Sequence, residues 1–157
     1  MKSSSREERD LSDEPGSRDL SALLLDTHIW LWYAEGNAQA LTAAAVRRLD
    51  HARQTEGLRI SSISVWEIGA SHADGRIHLS IPLRQWVRDA LCPGGIALLP
   101  LDAESAAEST LLPGEPGADP ARRLLIATAR TKGLVLATRN RRIVEYGQAG
   151  HVQVLDL

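Results

Sequence analysis

A chain of 157 residues suits one domain with a substantial core and leaves no room for two ordinary ones. At 43% hydrophobic and 24% charged residues it has the balance of a folded soluble domain, and a net charge of −2 singles out no class of partner. One cysteine, Cys92, excludes an intrachain disulfide framework and any Cys-based zinc cluster, and no apolar run approaches the ~20 residues of a membrane span.

Residues 2–19 carry ten charges and no apolar period, so residues 1–20 are expected to form a disordered polar tail and 21–157 the folded domain. The tail is too polar for a secretory signal, which makes the cytoplasm the expected setting. Ala22–Leu25 is an uninterrupted apolar run, the pattern of a strand buried on both faces of a parallel sheet. Further strands are predicted at Leu58–Ser62, Gly95–Leu99, Leu134–Thr138 and Val152–Leu155. A helix is predicted to start near His28, and others near 38–55, 64–73, 83–91, 103–111 and 120–132. Leu112–Gly117, rich in Pro and Gly, is a loop. The alternation predicts an α/β fold with a central, mainly parallel sheet.

In such a sheet ligands bind outside the carboxyl ends of the strands, so the polar residues there carry the interest. Asp26 ends the first predicted strand and is suited either to a hard divalent cation or to capping the helix that follows. Ser64-Val65-Trp66-Glu67 fits a capping box, and read locally that cap is the favoured role of Glu67. Asp119-Pro120 is a helix start, with Asp at the cap and Pro at the first position. The five histidines show no paired ligand spacing, and Cys92 reads as a small loop-edge hydrophobe.

Taken together, three groups of motifs resemble the PIN-domain toxins of VapC type. They are Leu23-Leu-Leu-Asp26-Thr27-His28-Ile-Trp30, Ile60-Ser-Ser-Ile-Ser-Val-Trp66-Glu67-Ile68 and Asp119-Pro120-Ala-Arg122-Arg123, with Thr138-Arg139-Asn140 beyond. The resemblance spans about residues 22–157. It implies a three-layer α/β/α domain with about five strands, and a metal-dependent endoribonuclease that uses Mg²⁺ or Mn²⁺ to cleave RNA. It also implies a small cognate antitoxin of VapB type, a homodimer and no membrane association. Asp26, Glu67 and Asp119 become the expected metal ligands, with Thr138 and Asn140 completing the catalytic set.

Two positions depart from the family pattern. Arg122 stands where the third acid is usual and Asn140 where the fourth is, which takes the four positions from four negative charges to a net −1. Besides a plain α/β structural protein whose acids are only helix caps, two outcomes stay open. The site still cleaves RNA, with Asp119 replacing the lost acid, or Arg122 pairs with the carboxylates as an internal cation and leaves a degenerate module that binds RNA or antitoxin. From Pro120 onward the chain has seven basic residues and only Glu145 and Asp156 as acids. Arg123, Arg139, Arg141 and Arg142 are expected RNA contacts, with Arg122, Arg130 and Lys132 also expected to bracket the active edge and meet backbone phosphates. Trp30, Trp32 and Tyr33 crowd the first helix; at least one belongs to the core, and the others are expected to meet the partner protein.

Overall fold

The computed structural model describes residues 21–157; the predicted tail lies outside them. Five parallel strands form one sheet in the order β3-β2-β1-β4-β5: β1 Leu23–Leu25, β2 Leu58–Ser61, β3 Ile96–Leu99, β4 Val135–Thr138 and β5 Val154–Asp156. Seven helices connect them: α1 Thr27–Glu35, α2 Ala43–Gln54, α3 Ser62–Ala73, α4 Leu83–Leu91, α5 Ala103–Thr110, α6 Pro120–Lys132 and α7 Arg141–Gln148.

The apolar run of β1 explains the layering. Leu23 and Leu25 point to one face, where they join Ile29 and Trp30 of α1, Leu49 of α2, Ile68 of α3 and Trp86 of α4. Leu24 points to the other and packs with Leu136, Ile126 of α6 and Ile143 of α7. Alternating side chains of a central strand thus build two cores, one on each face. Helix α5 lies against α6.

The predicted strands fall within two residues of those observed, and the predicted α/β class holds. Two helix predictions need correction. Helix α2 begins at Ala43 rather than 38, because the Asn37 side chain accepts hydrogen bonds from the amides of Gln39 and Ala40 and turns the chain before Thr42 caps the helix. Helix α7 is absent from the prediction; Asn140 caps it, and Ile143, Val144 and Tyr146 give it a buried stripe.

The strand order changes direction at β1. The chain leaves β1 toward β2 and β3, then returns to β4 on the other side. The crevice between the carboxyl ends of β1 and β4 is therefore the topological switch point, where an open parallel sheet takes its ligands.

Candidate functional site

Asp26 follows β1 directly, and its amide donates to the Ala137 carbonyl of β4 at 2.9 Å. Its carboxylate serves two purposes. Oδ1 accepts from the Thr27 amide at 2.8 Å, capping α1, and Oδ2 accepts from the Thr138 hydroxyl at 2.6 Å. The cap and a role in the crevice are compatible, since each carboxylate oxygen keeps a second lone pair.

Glu67 does not form the predicted capping box. Helix α3 starts at Ser62, directly after β2, and Ser61 caps it by accepting from the Ile63 amide. Ser64 and Glu67 consequently lie inside the helix, one turn apart. The Thr27 hydroxyl donates to Glu67 Oε1 at 2.6 Å, and with its proton so used it accepts from the Ser64 hydroxyl at 2.8 Å. Thr27, Ser64 and Thr138 are all buried, so each carboxylate is held by a threonine that belongs to the core. Burial is the largest influence on Glu67 and raises its pKa; Asp119 and Asp26 push the same way, while the Thr27 hydrogen bond and His28 oppose them.

Asp119 stands at the N-cap of α6 with Pro120 behind it, yet its side chain makes no capping hydrogen bond and is exposed. Its charge reaches Glu67. Asn140 is committed locally, its Oδ1 accepting from the amides of Arg142 and Ile143, while its own amide donates to the Thr138 hydroxyl at 3.0 Å.

The hard oxygen donors of Asp26 and Glu67 suit a divalent cation held through one or two carboxylates, with water completing its shell. They do not make an all-protein cage: among the described residues no three His, Cys, Asp or Glu side chains come together closely enough to hold a metal ion.

The expected ion pair between Arg122 and the carboxylates is absent among the described residues, whose ion pairs join Arg76 to Asp74, Arg130 to Glu108, and Lys132 to Asp102 and Glu104. The basic residues divide by place. Arg130 and Lys132 end α6, which runs away from the crevice for thirteen residues, so they sit at the opposite edge of the sheet rather than bracketing the site. Arg123 is tied to the carbonyls of Gly117 and Ser109, and Arg139 donates to the Ala40 carbonyl and lies over the Trp32 ring. Arg141 and Arg142 open α7 beside the crevice and are exposed.

The aromatic cluster also divides. Trp30 is fully buried edge-on against Trp86 and cannot meet a partner as expected. Trp32 and Tyr33 line a groove of about 860 Å³ between α1, α2 and α4, where the Tyr33 hydroxyl donates to Asp50 at 2.6 Å. Trp66, 65% exposed on α3, went unnoticed in the sequence because the residues around it match a capping motif; Leu101 and Leu111, which flank α5, are exposed as well.

Residues 23–148 match the PIN domain family. The chain is 31% identical over 124 residues to Ribonuclease VapC22 of Mycobacterium tuberculosis, covering 79% of this chain and 91% of that protein. Its fold is similar to VapBC2 from Rickettsia felis bound to a DNA fragment from its promoter, with a TM-score of 0.64 at 13% identity over 85% of this chain and 97% of that one. It is also similar to DNA-bound VapBC from Salmonella typhimurium, with a TM-score of 0.61 at 18% identity over 87% and 98% of the two chains.

Proposed function

The chain belongs to the PIN-domain family, and on that premise we propose that it is an endoribonuclease of VapC type, the toxin of a type II toxin–antitoxin pair. The observation that carries this reading is the pair of carboxylates at the β1–β4 crevice, Asp26 and Glu67, each fixed by a buried threonine hydroxyl.

Asp26 and Glu67 would hold Mg²⁺ or Mn²⁺, with Asp119 within electrostatic reach. A divalent ion supplies there an activated water and charge stabilisation at the scissile phosphate. The protein's own part is positioning. Thr138 and the Thr27 amide fix both oxygens of Asp26, and Thr27 fixes one oxygen of Glu67, leaving Oε2 open. Burial first, and then repulsion from Asp119 and Asp26, disfavours a bare charge on Glu67, which a cation would relieve. Arg141 and Arg142, unpaired among the described residues, are the basic groups placed to take RNA phosphates near the crevice. The degenerate reading lacks its main support, because Arg122 forms no ion pair with either carboxylate.

An antitoxin fits the groove beside α1. Trp32 and Tyr33 offer it apolar surface, and Arg53 Nε, a buried donor without a partner among the described residues, belongs to a residue lining that groove. Buried donors of this kind call for acceptors, which a bound peptide supplies. A homodimer through the exposed Trp66 and Leu111 would cover apolar surface that the single chain leaves in water.

The test is cleavage of total and synthetic RNA by the purified protein with Mn²⁺ or EDTA, beside Asp26→Asn. Cuts that need metal and vanish in the variant support the nuclease; a folded protein that never cleaves overturns it.

A further inference from the structure

Arg122 occupies an unusual position for a cation. It lies in the first turn of α6, one turn after Asp119 and one turn before Ile126. Ile126 is fully buried in the cluster that contains Leu24 and Leu136 of the sheet, and Arg122 lies one turn before it, in the turn that follows Asp119. Arg123, about 100° round the helix, is bonded to the carbonyls of Gly117 and Ser109.

Three acids, Asp26, Glu67 and Asp119, belong to this end of the sheet. A guanidinium among them would ordinarily form an ion pair, yet Arg122 has neither ion pair nor hydrogen bond among the described residues. Its head rests against Gly117, where a β-carbon would lie 3.0 Å from Nη1 and where φ is +87°. Glycine thus leaves room for the guanidinium against the loop that precedes α6. A half-buried Arg with all its donors unspent, one turn after Asp119 at the start of α6, is arranged for an anion that arrives from outside.

We propose that Arg122 is a substrate-binding residue whose guanidinium takes a backbone phosphate of the RNA at the carboxylate crevice. This rests on the ribonuclease reading and deepens it: the position adds a fixed positive charge for the RNA where a further acid would have added a ligand for metal. One or two carboxylates then serve the cation, and the phosphate gains a bidentate donor.

The experiment measures binding of a short fluorescein-labelled single-stranded RNA by anisotropy in EDTA, across a salt series, with Mn²⁺-dependent cleavage recorded in parallel. The proteins are the full chain, Arg122→Gln and Arg122→Lys. Arg122→Gln is expected to bind about tenfold more weakly, with a salt slope shallower by about 0.7. Arg122→Lys is expected to keep the slope and regain only part of the affinity. All three should melt together, since the side chain makes no internal bond. Equal affinity and slope for Arg122→Gln, with wild-type cleavage intact, overturn this proposal alone. Faster cleavage by Arg122→Gln at unchanged RNA affinity also overturns it, marking the guanidinium as an internal brake. If the wild-type protein neither binds nor cuts RNA, the ribonuclease reading falls and takes this inference with it.

Discussion

The Thr138 hydroxyl donates to Asp26 Oδ2 at 2.6 Å, joining residues 112 positions apart at the ends of two neighbouring strands. Thr138 is completely buried, and its oxygen also accepts from the Asn140 amide. Thr138→Val keeps the shape but frees Asp26 and leaves that amide unsatisfied. We expect a loss of about 1–2 kcal/mol in stability by denaturant titration. Cleavage should fall about tenfold or more, because Asp26 loses the group that orients it.

Glu67 gives a pH prediction. Its raised pKa means the folded state holds a proton above the ordinary glutamate range. Stability therefore falls as pH rises from that range through the folded pKa, and the ionised form is a burden at neutral pH. Glu67→Gln keeps an acceptor for the Thr27 hydroxyl and removes the charge. It should raise Tm by about 1–3 °C at pH 7 and abolish metal-dependent cleavage. An unchanged or lower Tm at pH 7 would contradict this account.

Among the tryptophans, position rather than type decides the outcome. Trp30→Ala should cost about 3–5 kcal/mol and leave little folded protein. Trp32→Ala should fold and lose affinity for the cognate antitoxin, read by gel filtration and titration calorimetry. Normal antitoxin binding by Trp32→Ala would remove the groove from the interface.

Trp66→Ser and Leu111→Ser together should shift the protein toward monomer in sedimentation velocity, with Tm nearly unchanged in the dilute limit. A monomeric wild-type protein would refute the dimer.

Arg141→Ala should weaken RNA binding and reduce the salt slope, whereas Arg130→Ala, at the far edge and paired with Glu108, should leave both alone. Equal effects of the two substitutions would show that the basic residues act only as a diffuse field.

The sheet was legible in the sequence because each strand carries branched apolar residues in a short segment and the helices alternate with them. What escaped was set by contacts between distant segments. Ser64 and Glu67 fit a cap motif, but β2 passes into α3 without a loop, and this moves the cap to Ser61 and frees Glu67 to meet Thr27. Charge content suggested a basic active edge, yet Arg123 and Arg139 are used to fasten loops. Composition counts such residues alike. Helix α7 could have been found from Asn140 followed by Ile143, Val144 and Tyr146.

The pairing of β1 with β4 also sets the order in which this molecule becomes itself. Asp26 is synthesised early, but the strand that supplies its hydroxyl partner emerges only after residues 23–134. Contacts so distant in sequence form late, once the intervening chain has been made and closed into a loop. A growing polypeptide therefore carries both acids without a finished crevice. Until β4 is in place, the Asp26 carboxylate lacks the hydroxyl that fixes it.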